Sequence, residues 1–137
     1  MNTFVKFIFV TVAFVGTVHA ETMDCQYKGG WNMADGTKGD VSWNMRYVGG
    51  GASWTASGTG DDGYGPSTIS GTCTDRQCTI KQVYTGGSAN GSVYDFVGDY
   101  ADQQSKGGKT ETSFTGTWKG GDGTNGKWSA KGSCVYK

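Results

Sequence analysis

The sequence predicts an all-β protein, an antiparallel up-and-down meander of eight strands that forms a small closed or nearly closed barrel. The 137 residues include 25 Gly, one Pro and no Leu, so residues typical of helices are scarce. Apolar and polar residues alternate with the period of two that half-buried strands show. Turn dipeptides such as Asp35-Gly36 and Asp62-Gly63 separate the alternating segments. A flattened two-sheet β-sandwich is the alternative architecture.

Each predicted strand carries its apolar residues on one parity. Examples are Met23, Cys25 and Tyr27 in the first strand, and Val41, Trp43 and Met45 in the second. In chain order, the strands are predicted at residues 23–33, 39–48, 52–59, 67–74, 78–85, 91–100, 110–119 and 127–136. All connections are short, so strands that are neighbours in sequence are expected to be neighbours in the sheet.

A five-residue pattern with a central Gly recurs inside these strands. Clear copies are 27–31, 69–73, 96–100, 114–118 and 130–134, and 56–60 is a weaker one. The Gly has the parity of its apolar flanking residues, which predicts that it faces inward. Glycine inside a strand allows a sharp bend or makes room for a ring from a neighbouring strand. Both explanations indicate a strongly curved sheet around an aromatic interior.

Residues 1–20 are predicted to be a cleaved signal peptide. Lys6 precedes an apolar run over 7–15, and the segment ends in Val18-His19-Ala20, with the small residues that a signal peptidase prefers. The run is too short for a membrane span. The mature chain is therefore predicted to be a single domain over 21–137, exported to the periplasm or secreted.

Export implies an oxidising compartment, in which four cysteines are expected to form two disulfides. Cys73 and Cys78 flank a short polar stretch that is predicted to be a hairpin loop, so they are expected to bond across it. Cys25 and Cys134 would then join the two ends of the mature chain. A zinc site is disfavoured, because the two outer cysteines lie far apart and the mature chain has no His.

Several function classes lack the residues that they need. The only His is His19 in the predicted signal peptide, which removes histidine-based catalysis and the usual metal ligation. With 12 basic and 12 acidic residues, the chain has no charge excess for nucleic acid. The outward parity is polar, which argues against membrane insertion. We therefore expect no enzyme activity, no cofactor and no metal; the Asp-Gly segments are interpreted as turns rather than calcium loops. Asn90 begins a glycosylation pattern, relevant only to a eukaryotic secretory route.

The first functional hypothesis is a protein-binding role, most concretely that of an inhibitor or immunity protein that blocks an envelope-acting hydrolase. The segments 60–66 and 101–109 are predicted to be loops that enter the partner's active site, and an exposed strand is predicted beside them. A homodimer is an alternative use of the same exposed strand. The residues predicted to contact the partner are Asp61, Asp62, Tyr64, Val93, Asp95, Val97 and Asp99.

The alternative hypothesis is a barrel that binds a small ligand or a carbohydrate against aromatic rings. Trp31, Trp43 and Trp118 are the candidate ligand-binding residues, because all three are predicted to face the interior. Most of the tryptophans are also expected to serve as core, since a Leu-free barrel must be filled by other large side chains.

Overall fold

The computed structural model describes residues 21–74, 76–102 and 109–137, which form one closed antiparallel barrel in sequence order. Its strands are β1 (Glu21–Asn32), β2 (Lys38–Gly50), β3 (Ser53–Asp62), β4 (Gly65–Thr74), β5 (Gln77–Tyr84), β6 (Val93–Asp102), β7 (Lys109–Gly120) and β8 (Asn125–Tyr136). The predicted meander is confirmed, with boundaries within three residues, and the closed barrel replaces the sandwich alternative. The predicted signal peptide, residues 1–20, lies outside the described residues. The described part of the chain contains no helix long and apolar enough to cross a membrane.

The barrel closes where β1 pairs with β8, and a disulfide joins the two strands at this closure. Cys25 lies directly opposite Cys134, and Cys73 lies opposite Cys78 in the β4–β5 pair. Both predicted bonds are confirmed. Two disulfides are consistent with an oxidising, exported location.

Aromatic rings fill the middle of the barrel. Trp43 lies with its ring centroid 5.1 Å from that of Phe96 and 5.4 Å from that of Trp128. Phe114 stacks on Trp128 at 5.5 Å, and all four side chains are at most 4% exposed. Edge-to-face and stacked pairs of this kind each contribute about 0.5–1.5 kcal/mol beyond the area that they bury. The interior at this level is a packed core.

The glycines of the repeated pattern serve the two purposes that the sequence suggests. A Cβ at Gly132 would lie 2.2 Å from the ring of Tyr27, and one at Gly98 would lie 2.6 Å from the ring of Trp128. At Gly71 and Gly116 the added atom would instead meet the backbone of the neighbouring strand, where the sheet bends. The inward orientation does not hold for every copy. Gly29 is exposed, because β1 approaches the β8 backbone there instead of receiving a ring.

Candidate functional site

One end of the barrel carries an open cleft of about 150 Å³. It lies where the β1–β2, β3–β4, β5–β6 and β7–β8 turns meet, since these connections share one end of an up-and-down barrel. Six of the side chains that line the cleft are aromatic, and we refer to the five that contact one another in series as the aromatic cup. They are Trp31, Tyr64, Tyr84, Tyr94 and Trp118. The cleft is also lined by Met33, Gln82, Ala89, Phe96, Asp122 and Thr124.

The rings of the aromatic cup contact one another in an unbroken series. Trp31 lies between Tyr64, at 6.2 Å between centroids, and Trp118, at 5.3 Å. The series continues from Trp118 to Tyr94 at 5.8 Å and from Tyr94 to Tyr84 at 5.9 Å. Because each ring is held by its neighbours, the wall of the cup is formed before any ligand arrives.

A carboxylate joins the two ends of this series. The Tyr84 hydroxyl donates a hydrogen bond to Asp62 Oδ2 at 2.5 Å, and the backbone N–H of Tyr64 donates to Asp62 Oδ1 at 2.9 Å. The five rings and Asp62 therefore form a closed circuit around the cleft. Tyr84 is 4% exposed, whereas Tyr64 at the rim is 40% exposed.

Two turns at the rim are built in the same way from an Asp-Gly-Thr sequence. Asp35 Oδ1 accepts the backbone N–H of Thr37 at 2.9 Å, and Asp122 Oδ1 accepts that of Thr124 at 3.0 Å. The Gly between them has a positive φ in both turns, 92° at residue 36 and 90° at residue 123, a conformation that favours Gly. An Asp that bonds two residues ahead is the usual side-chain device of such turns. These carboxylates therefore position the rim, and in the described part of the chain no cluster of His, Cys, Asp or Glu forms a metal site.

The electrostatic environment of the cup is negative. Hydrogen bonds from the Thr124 side chain and backbone lower the pKa of Asp122 below its ordinary value. Burial raises the pKa of Tyr84 far above its ordinary value, with further contributions from the hydrogen bond to Asp62 and its charge. Burial also raises the pKa of Tyr94, and the charge of Asp122 adds to this effect. The carboxylate is charged and the phenols are neutral over the physiological pH range.

The floor of the cup combines one satisfied amide with one unpaired donor. Gln82 is 3% exposed, and its Nε2 donates to Ser67 Oγ at 2.9 Å. Trp118 is 4% exposed, and its indole Nε1 has no hydrogen-bond partner among the described residues.

The structure brings together two of the three tryptophans that the sequence suggests for ligand binding. Trp31 and Trp118 line the cup. Trp43 lies outside the cup lining, in the core at 2% exposure, against Phe96 and Trp128. Its inward parity is confirmed, but its height along the barrel axis places it in the packed middle.

The residues predicted for partner binding fall into two separate places. Tyr64 and Asp62 belong to the cup, whereas Asp61 is exposed on the outside of β3. The segment 60–66 is not the protruding loop that the sequence suggested. Residues 60–62 and 65–66 are paired strand, because the Asp-Gly turn is closed tightly by the Asp62 carboxylate and leaves only Gly63 and Tyr64 between the strands.

The predicted exposed strand is β6, and its outward residues lie on the barrel wall. Val97 is 38% exposed and Val93 is half-buried. Asp95 pairs with Lys81 at 3.6 Å, and Asp99 accepts a hydrogen bond from Gln77 at 3.5 Å. Residues 103–108, the centre of the second predicted loop, lie outside the described residues.

Four residues at the site were not predicted from the sequence: Tyr84, Tyr94, Gln82 and Asp122. A signal for the aromatic members was present, because Tyr84 and Tyr94 flank the β5–β6 turn as Trp31 precedes the β1–β2 turn. In an up-and-down barrel, alternate turns share one end, so aromatic residues beside those turns are expected to meet. The sequence gives no such signal for Gln82, because the parity of a polar residue does not show how deep it lies along the barrel axis.

Fold and site together define a small disulfide-bonded β-barrel with an aromatic cup at one end. No protein-family model matches the chain, and no curated protein sequence matches it. Among solved structures, the chain is similar to a redesigned β-barrel, mFAP1, bound to DFHBI. The two share 15% sequence identity over 80% of this chain and 90% of the other, with a TM-score of 0.43.

Proposed function

We propose that this protein is an exported, non-catalytic barrel that binds a small molecule in the aromatic cup. The observation that carries the proposal is the closed circuit of five rings and Asp62 around an open cleft. Ligand sites are concave and mostly apolar, with a few placed polar groups and little rearrangement on binding. The cup is concave, its lining is mostly apolar, and a few polar side chains reach it.

The volume of the cup limits the size of what it can hold. A cavity of about 150 Å³ accepts a group as large as benzene. The ligand is therefore a single ring or a compact head group, with any remainder of the molecule extending past Tyr64 into solvent. Met33 and the aromatic rings provide the apolar contact, and Asp122, Thr124 and Gln82 provide polarity.

Ligand binding is preferred here to the inhibitor or immunity role for a geometric reason. An inhibitor of the predicted kind needs a projecting loop, and the β3–β4 connection offers a two-residue turn whose Tyr64 packs against Trp31. Partner binding through the outward face around Val97 stays a prediction. A pull-down with the mature protein can test it.

A binding role without catalysis is supported by the chemistry of the cup. Its lining in the described part of the chain includes no His, Cys, Lys or Arg, and general acid catalysis by a carboxyl requires a raised pKa. The pKa of Asp122 is lowered instead. The neighbouring Asp62 accepts hydrogen bonds from Tyr84 and from the Tyr64 backbone, which is a structural role.

The proposal is tested by closing the cup without altering the barrel. Ala89 lines the cup and is half-buried, whereas its neighbour Ser88 is exposed. We expect the Ala89→Trp variant to fill the cup and the Ser88→Trp variant to leave it open. Mature wild type and both variants are incubated with a small-molecule extract of the cells or medium in which the protein accumulates, then recovered and weighed by native mass spectrometry.

Wild type and Ser88→Trp should each carry a small-molecule mass increment that Ala89→Trp lacks. If wild type carries no increment, or if Ala89→Trp keeps it, the proposed function is wrong. Circular dichroism of the three proteins verifies that the barrel is intact in each.

A further inference from the structure

We propose that the group held in the aromatic cup is an organic cation, specifically a methylated ammonium head group. This inference rests on the proposed function and specifies the ligand class. It follows from three properties of the cup: the sign of its charge, the number of its rings and the prior engagement of its polar atoms.

The charge around the cup has one sign. Among the residues that the structure describes, no Lys, Arg or His lines the cleft, whereas Asp122 does. A second carboxylate, that of Asp62, is bonded directly to the Tyr84 hydroxyl in the wall. A cation entering the cup would lie beside the Asp122 carboxylate and near that of Asp62, behind Tyr84, while an anion would be repelled by both. Burial is the main cause of the raised pKa of Tyr94, and the charges of Asp122 and Asp62 add to it.

The rings supply attraction that a neutral ligand would not share. An ammonium group over the face of Trp or Tyr is attracted by the ring quadrupole, by about 0.5–1 kcal/mol at exposed sites and about 2 kcal/mol where it is desolvated. The five rings of the aromatic cup and the ring of Phe96 border this one cleft, and Trp118 and Tyr84 are each 4% exposed. A cage of several rings with nearby carboxylates is the arrangement that recognises quaternary ammonium groups.

Three polar side chains at the cup already have hydrogen-bond partners within the protein, although the Trp118 indole N–H has none among the described residues, and this favours a methylated ammonium over a sugar. Both oxygens of Asp62 already accept hydrogen bonds from the protein, and Gln82 donates to Ser67. Asp122 Oδ1 accepts from the Thr124 backbone at 3.0 Å and from its hydroxyl at 2.6 Å. A sugar requires several free hydrogen-bond donors and acceptors for its hydroxyl groups. A trimethylated ammonium has no N–H and needs only negative charge and π faces, which the cup still offers.

The experiment compares two molecules of the same shape that differ in charge. Choline and its neutral carbon analogue 3,3-dimethylbutan-1-ol are titrated into mature wild-type protein, and methyl glucoside is the sugar probe. Binding is followed by the NMR signals of the tryptophan indole N–H groups. We expect choline to shift the Trp31 and Trp118 signals and to bind roughly tenfold or more tightly than the neutral analogue. The signal of Trp43, in the core, should move little.

A matched pair of variants isolates the charge. Asp122→Asn removes a carboxylate that lines the cup, and Asp40→Asn removes one on the outer face of β2 at the same end. Asp122→Asn should weaken choline several-fold and leave the neutral analogue unchanged, which also verifies that the cup is intact. Asp40→Asn should leave both affinities as in wild type.

The outcomes separate this inference from the proposed function. Equal or tighter binding of the neutral analogue or of methyl glucoside overturns the cation assignment and leaves a ligand-binding cup in place. Failure of choline to move the indole signals also overturns the cation assignment. The proposed function is decided independently by the comparison of Ala89→Trp with Ser88→Trp, which uses no choline.

Discussion

At the scale of single residues, the lack of a side chain at a core glycine is as important for packing as the ring that lies against it. Tyr27 is 1% exposed and lies against Phe114 at 5.1 Å and Tyr47 at 6.3 Å. Its ring occupies the space above Gly132 in β8, where no Cβ is present. Phe114 and Tyr47 hold the ring over Gly132, so an added atom there would displace packed side chains.

Replacing Gly132 by Ala should therefore destabilise the barrel. The added Cβ would lie 2.2 Å from Tyr27 Cε1, and overpacking of a filled core costs about 1–3 kcal/mol. Gly63→Ala is the control, since nothing lies within 4 Å of a Cβ there and its φ is not positive. Urea unfolding should show a lower midpoint for Gly132→Ala and little change for Gly63→Ala. Equal midpoints for both variants would contradict this account of the glycine pattern.

At the scale of strands and turns, the sequence predicts more of the fold than of the site. Alternation identifies each strand and its inward face, because the period of two is a property of neighbouring residues. Trp43 and Trp118 have the same inward parity, yet one lies in the core and the other lines the cup. Depth along the barrel axis depends on strand tilt and register, which the alternation of one strand does not encode.

The cup is a second example of this limit. Its rings come from β1, the β3–β4 turn, β5, β6 and β7, so no single segment displays the site. The segment 60–66 was expected to protrude because Gly and Asp are frequent in loops. The same Asp-Gly pair forms a tight hairpin turn when the Asp carboxylate bonds the backbone N–H of Tyr64.

The two disulfides give a prediction at this scale, because they join neighbouring strands over very different lengths of chain. Cys25 and Cys134 are separated by 109 residues, and Cys73 and Cys78 by five. In the chain-entropy account, the long loop contributes nearly 5 kcal/mol and the short one about 2 kcal/mol. All four cysteine side chains are at most 3% exposed, so replacing either pair should cost a similar amount of packing energy.

The double variant Cys25→Ala/Cys134→Ala should thus lose about 3 kcal/mol more stability than Cys73→Ala/Cys78→Ala. The measurement is urea unfolding of both variants under non-reducing conditions, with wild type as reference. Equal losses, or a greater loss for the short-loop pair, would contradict this account. They would show that the Cys25–Cys134 bond does not stabilise the barrel mainly by constraining the unfolded chain.

At the scale of the whole molecule, composition determines how stability responds to pH. Residues 21–137 contain no His, and all four Cys are bonded, so no side chain has an ordinary pKa near neutrality. On the acid side, hydrogen bonds lower the pKa of Asp24, through Arg46, and of Asp35, through Thr37. The stability that these contacts provide is present above the ordinary Asp pKa and is lost as pH falls through the lowered values.

In the alkaline range, stability falls as pH rises, which is the opposite of its dependence in acid. Burial raises the pKa values of Tyr47, Tyr84 and Tyr94, so the folded state favours neutral phenols. Their contribution is complete below the unfolded tyrosine pKa near 10 and is lost as pH rises towards the folded values, by up to about 1.4 kcal/mol per pH unit for each group. Urea unfolding should therefore give a free energy of unfolding that is constant between about pH 5 and pH 9 and falls above that range.

Tyr84→Phe should be less stable than wild type at pH 7, because Asp62 loses its hydrogen bond, yet its stability should fall less steeply above pH 10. An unchanged alkaline slope in this variant would mean that Tyr84 ionises freely in the folded barrel and that the wall of the cup is open to water.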